Sequence, residues 1–248
     1  MARYQIILAY DGTEFLGSQR QVKSRRTVQG VLENALRKMG WDGKSVLMAG
    51  RTDAGVHASG QVAAFDLNWA HNLEALSNAL NANLPADVAV RQVQVAPDSF
   101  HPRFDATARR YRYRIFSQKL RDPLRERYAW RVFPSPDEDV LHALAAMLPG
   151  KFDFAAFGSP PRPDGSTERH LMQARWEKQA DEWHFEVQAN AFLYHMVRRL
   201  VRTQVVIAQG KFSKEIFARA LAEQVDVPSG IAPPNGLTLV EVTYPDNL

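Results

Sequence analysis

Cysteine is absent from all 248 residues, which removes disulfides, thiolate catalysis and cysteine-held zinc or iron-sulfur sites from consideration. A chain without cysteine suits a reducing compartment, so the expected location is the cytoplasm. Long apolar runs are missing too. No stretch approaches the length of a membrane-spanning helix, and the five-residue apolar run after Met1-Ala2-Arg3-Tyr4 is too short for a signal peptide. The stretch Gly50 to Gly60 has neither the Lys-Ser/Thr of a phosphate loop nor a GxGxxG run, so a nucleotide-binding fold is poorly supported. Seven histidines stand at 57, 71, 101, 142, 170, 184 and 195 without HExxH or any paired spacing. That leaves only Asp53 with His57 to suggest a metal-dependent hydrolase, and His57 reads better as a hydrogen bonder that orders its loop. Lysine is scarce: arginine outnumbers it 23 to 8, which suits forked contacts to phosphate.

What is present can build a sizeable core, since 45% of the residues are apolar, in one large domain or two small ones. The net charge of +4 is unevenly spread. Between Arg103 and Arg131 ten lysines and arginines face three acids, a local +7, and the remainder carries −3. A basic belt on a near-neutral body points to a localised polyanion contact with steep salt dependence. On charge alone a solvated face reads the same way.

Periodicity supplies the elements. Tyr4 to Tyr10 reads as a buried strand, followed by a long polar loop, Asp11 to Arg26, carrying Arg20, Lys23, Arg25 and Arg26. Val28, Val31, Leu32, Ala35, Leu36 and Met39 share one helical stripe, with Thr27 as N-cap and Gly40 as the stop. Short apolar strands, Ser45 to Met48 and Val62 to Phe65, flank the glycine-rich stretch. A helix then runs from Asn72 to about Ala82 and a strand from Val88 to Val95. Strand, helix, strand, strand, helix, strand is the ferredoxin-like or split βαβ order. It recurs as a strand Arg110 to Phe116, a helix Asp137 to Leu148, a hairpin of Met172 to Lys178 with Trp183 to Ala189, a long helix from Phe192 to about Gln209, and a strand Leu237 to Tyr244. An extra helix, Lys214 to Ala222, precedes that last strand. The expected fold is therefore α+β: two ferredoxin-like halves, 1–105 and 106–248, related by a pseudo-twofold axis. The sheet is mixed but mostly antiparallel, with helices on one face and a central cleft. In the first strand of the second half, Tyr111, Tyr113 and Ile115 alternate with Arg110, Arg112 and Arg114. On the long helix, His195, Arg198, Arg199 and Arg202 form a basic stripe behind an Asn190 cap.

The stretch from Gly50 to Gln61 reads Gly-Arg-Thr-Asp-Ala-Gly-Val-His-Ala-Ser-Gly-Gln. Its residue types alone describe a glycine-rich hairpin with a surface ion pair of Arg51 and Asp53. Its identity says more. Gly50-Arg51-Thr52-Asp53-Ala54-Gly55-Val56-His57 resembles the signature of the TruA family of tRNA pseudouridine synthases. Further matches follow in the family's order: Tyr10-Asp11-Gly12, Gly17-Ser18-Gln19-Arg20-Gln21, Asn81 to Pro85, Phe100 to Phe104, Ala106 to Tyr113, Asn190 to Arg198, and Gly236-Leu237. The resemblance spans almost the whole chain. It departs at Ser18, where the family usually has tryptophan. A packing or stacking contact of that loop is thereby put in question, and the catalytic reading does not depend on it.

The resemblance implies an isomerase that turns uridine into pseudouridine in the anticodon stem-loop of tRNA, at positions 38 to 40, working as a homodimer without metal or nucleotide cofactor. It assigns catalysis to Asp53, as nucleophile or as base. Arg51 would pair with Asp53 and keep it ionised, and Tyr111 would stack on the uracil or take the C5 proton. Candidate substrate-binding residues are Tyr111, Arg198, His195, Arg109, Arg110, Arg20 and Leu237. A non-catalytic RNA-binding module would use the same basic belt and tyrosine strand, and the intact Asp53 and Arg51 speak against it.

Overall fold

In a computed structural model that describes residues 1–21 and 26–245, the first strand, β1 (Ala2–Tyr10), has one closed face: Tyr4, Ile6, Leu8 and Tyr10 are buried and the residues between them half-buried. Lys23 and Arg25, expected to carry charge in the long loop, lie outside the described residues. Helix α1 (Val28–Lys38) follows. The Thr27 hydroxyl accepts the Gly30 N–H at 3.2 Å, a cap of the kind that stabilises a helix by about 1 kcal/mol. Val28, Leu32, Ala35 and Leu36 form its buried stripe, and Gly40, at φ +87°, ends it in a conformation that costs glycine little. Strands β2 (Leu47–Met48) and β3 (His57–Leu67) bracket the glycine loop. Helix α2 (Leu73–Asn83) is capped by the Asn72 side-chain Oδ1, which accepts the Ala75 N–H at 2.8 Å, and it leads into β4 (Val88–Ala96). β1 pairs antiparallel with both β3 and β4, and β2 pairs with β3, which gives the order β4-β1-β3-β2. That is the split βαβ arrangement the element order implies.

The second compact unit, Ala108–Leu237, is built on β5 (Ala108–Ser117), β9 (Glu182–Ala189), β8 (Glu168–Gln179) and β7 (Gly150–Asp153), antiparallel neighbours in that order. A short strand, β6 (Trp130–Val132), pairs parallel with β5. Helix α3 (Glu138–Ala146) is capped by Asp137 on the Val140 N–H at 2.9 Å. Tyr113, Phe116, Trp176 and Phe185 are fully buried, and the one polar atom of the indole is satisfied: Trp176 Nε1 donates to Gln204 Oε1 at 2.9 Å.

Three features differ from expectation. Helix α4 (Met196–Ala208) starts four residues after Phe192 because the chain before it is committed elsewhere. The Tyr194 N–H donates to Ser159 O at 2.9 Å and His195 is left-handed at φ +64°. Asn190 caps no helix. Its side-chain oxygen accepts the N–H of His170 at 3.1 Å and of Ala191 at 2.8 Å. Finally, the last strand, β10 (Leu237–Thr243), pairs parallel with β3 through Thr238 and Leu239, so the first compact unit comprises Met1–Thr107 and the chain from Thr238 rather than 1–105 alone. Helix α5 (Glu215–Glu223) stands where a helix is expected.

Candidate active site

The glycine loop is held from beneath by buried polar groups. The Thr52 N–H donates to Ser18 Oγ at 2.8 Å, and the Ser18 N–H donates back to Thr52 O at 3.1 Å. The Thr52 and Tyr10 hydroxyls hydrogen-bond at 2.9 Å. Gln61 Nε2 donates to Gly50 O at 3.0 Å, which fixes the loop's first residue to β3. Burial raises the Tyr10 phenol above its ordinary range, so it remains a neutral hydroxyl in this network. Two glycines allow backbones to meet. Gly17 sits at φ +94° against Thr52 O, and a Cβ on Gly12 would stand 2.0 Å from Val56 O. The Gly12 N–H donates to His57 Nδ1 at 3.0 Å, so that ring nitrogen is an acceptor and the buried imidazole orders the loop, as its residue type suggests.

Asp53, half-buried, stands at the turn of this loop, and its carbonyl accepts the Val56 N–H at 3.2 Å. Arg51, two residues before it, is exposed. The loop is positioned by Ser18, Tyr10, Thr52 and Gln61, whose supporting bonds the motifs do not reveal. Gln61 did offer a signal, as a polar side chain inside a buried strand run.

In the second unit Tyr111 is buried on β5 and meets Phe192 edge to face at 5.1 Å. Arg109 Nη1 donates to Asn190 O at 2.8 Å. The arginine face of this strand is not a bare charge. Glu186 of β9 accepts from Arg112 and lies 3.5 Å from Arg110 Nη1, and Glu182 accepts from Arg114 Nε at 2.8 Å. Arg125 pairs with Asp181 at 2.6 Å, while Arg121 and Arg131 share Glu126, each at 2.8 Å. Three of these acids, Asp181, Glu182 and Glu186, lie outside the 103–131 window, so the local +7 is partly cancelled in the fold.

The stripe expected on the long helix is also revised. His195 precedes α4 in a left-handed turn, stacked on Tyr194 at 3.6 Å, and Arg198 is 8% exposed rather than solvated. Arg198 Nε donates to Ala232 O at 2.8 Å, and the Ala232 N–H returns a bond to Arg198 O at 3.1 Å. Leu237 is buried, with its N–H on Pro234 O. Arg20, in the first unit, serves the buried Glu33 carboxylate at 2.6 Å.

Burial pushes the Glu182 carboxyl up, but bonds from Arg114, His184 and Arg125 outweigh it and hold the group below its ordinary value. A lowered carboxyl contributes stability that is complete above the unfolded pKa, about 4.3, and is lost as pH falls through the folded value. The melting temperature should therefore drop as pH falls below about 4.3, and Glu182→Gln should flatten that drop. An unchanged acid limb in the variant, followed by circular dichroism, would contradict the linkage.

Fold and site together define an α+β protein of two sheet-based units, the first presenting a carboxylate on a rigid glycine loop, the second a buried tyrosine on an arginine-rich strand. The sequence pattern of the tRNA pseudouridine synthase family matches residues 6–105 and 144–245. Three relatives, each named tRNA pseudouridine synthase A, agree along nearly their full length. The protein from Shewanella piezotolerans is 39% identical over 99% of this chain and 94% of its own. That from a Geobacter species is 40% identical over 99% and 100%, and that from Chloroflexus aurantiacus 40% over 100% and 91%. The chain belongs to the tRNA pseudouridine synthase family, a family of isomerases.

Proposed function

We propose that this protein converts uridine to pseudouridine in the anticodon stem-loop of tRNA, at positions 38 to 40, in the cytoplasm and without metal or nucleotide cofactor. The observation that carries the reading is the family's glycine loop, present here residue for residue, with Asp53 on a backbone fixed by buried hydrogen bonds. The isomerisation breaks the N1–C1′ bond, turns the uracil and forms C5–C1′. C5 loses a proton and N1 gains one, so no electrons are exchanged with a cofactor.

Asp53 opens the reaction, as a nucleophile on C1′ or C6 or as the base that removes a ribose proton. Arg51, exposed beside it in sequence, is assigned to the space the target nucleotide leaves. Tyr111 stacks on the uracil or takes the C5 proton. Arg109, Arg110, Arg198, His195 and Leu237 are assigned to the substrate side. Arg20 has a weaker claim because Glu33 already holds it. The target base must leave its stack, which costs a few kcal/mol and least near a loop. Paired RNA is held largely by its backbone and shape, a task suited to arginines on a strand face.

Incubating the protein with unmodified tRNA transcript in EDTA, then mapping pseudouridine by carbodiimide-blocked primer extension, should give stops at positions 38 to 40. A transcript left unmodified would overturn the reading. The family pattern also implies a homodimer, and light scattering should then return twice the chain mass of 28.0 kDa; a monomer at working concentration would exclude it.

A further inference from the structure

Asp53 is flanked on both sides by bonds to one short segment, residues 15–18. Before it lie the reciprocal bonds of Thr52 with Ser18, at 2.8 and 3.1 Å. After it, the Gly55 N–H donates to Phe15 O at 3.2 Å. The acid thus rides on an arch with both feet on the same support. The support is itself anchored on the start of α1. The Gln29 N–H donates to Ser18 O at 2.9 Å and the Val28 N–H to Gly17 O at 3.4 Å, which employs helix-terminal N–H groups that have no partner within the helix.

One of the bonds joining arch to support is made by a side chain, the acceptor bond of Ser18 Oγ. That side chain is 1% exposed and Thr52 is buried, so water has little access to the Thr52 N–H if the hydroxyl is removed. A buried donor left without an acceptor moves until it finds one, and here the residue that would move is the neighbour of Asp53.

We propose that Ser18 is a positioning residue for Asp53, its hydroxyl fixing the near foot of the arch. This rests on the reading of Asp53 as the reacting acid. Ser18 is no part of the chemistry, so its loss should misplace the carboxylate without weakening the hold on tRNA. A displacement of about 1 Å at a reacting group costs on the order of 100-fold in rate. Ser18→Ala should therefore lower kcat roughly 10- to 100-fold with KM for tRNA within about twofold. Ser18→Thr, which keeps the acceptor oxygen, should recover most of the rate. Leu80→Ala, a core truncation in α2 of the same unit, serves as a stability control: with rates normalised to the folded fraction, it should retain full kcat.

The proposal is overturned by a wild-type kcat in Ser18→Ala, by a rise in KM at constant kcat, by failure of threonine to rescue, or by a loss no larger than that of Leu80→Ala. Full rate in Ser18→Ala beside an inactive Asp53→Asn would remove the role of Ser18 alone. Normal turnover by Asp53→Asn would remove the reading of Asp53 and, with it, the role of Ser18.

Discussion

Asp53→Asn should leave the protein folded and able to hold tRNA while lowering pseudouridine formation by at least about 1,000-fold, or about 4 kcal/mol of transition-state stabilisation. The substitution conserves size, and several bonds that shape the loop do not involve the carboxylate. Thr52 is held by Ser18 and Tyr10, Gly55 by Phe15, and the Asp53 carbonyl by the Val56 N–H, none of which uses the Asp53 side chain. What the change removes is a negative charge and a nucleophilic or basic oxygen pair, and an amide replaces neither. Single-turnover rates on a transcript, with filter binding for affinity, separate the two effects. A variant within tenfold of the parent rate would exclude Asp53 from the reaction. A variant that loses rate only because tRNA no longer binds would make Asp53 a contact residue.

Gly12→Ala should be nearly as damaging for a different reason. An added Cβ would lie 2.0 Å from Val56 O and 2.4 Å from Val56 C, and both are backbone atoms with no rotamer to escape into. One of the two backbone segments must shift. The shift would stretch the bond from the Gly12 N–H to His57 Nδ1 and, through the Val56 N–H on Asp53 O, disturb the acid itself. Overpacking of this kind costs about 3 kcal/mol, which in a chain of this size lowers the melting temperature by roughly 6 to 12 °C. Activity measured well below the transition should fall as well, because the geometry is altered even in folded molecules. A melting curve within a degree of the parent, with normal turnover, would show that the two backbones separate without cost.

The elements that could be read from the sequence are those whose signals are local. Thr27, Asn72 and Asp137 each cap the helix expected after them, since a cap followed by an apolar stripe is complete within about a dozen residues. β6 and β7 are three and four residues long, too short for an alternation to show. The start of α4 misleads because its apolar pattern runs on through Phe192 and Leu193, while the bond that delays the helix comes from Ser159, far away in the chain. The same distinction governs the site. Asp53 is a candidate through an eight-residue resemblance, but the bonds that hold its loop were not legible, because Ser18 and Tyr10 lie 34 and 42 residues before Thr52. The basic belt was over-read for a related reason, since the carboxylates that answer its arginines sit across a strand pairing, on β9.

The membership of β10 in the first unit sets an order of assembly. Residues 238–243 leave the ribosome after the whole of the second unit, and until then one edge of β3, directly following the loop that carries Asp53, lacks a neighbour. A nascent chain of 107 residues would hold every group of the glycine loop and still not have the finished sheet beneath it. Completion of the half that bears the acid thus waits on a strand translated after the whole second unit.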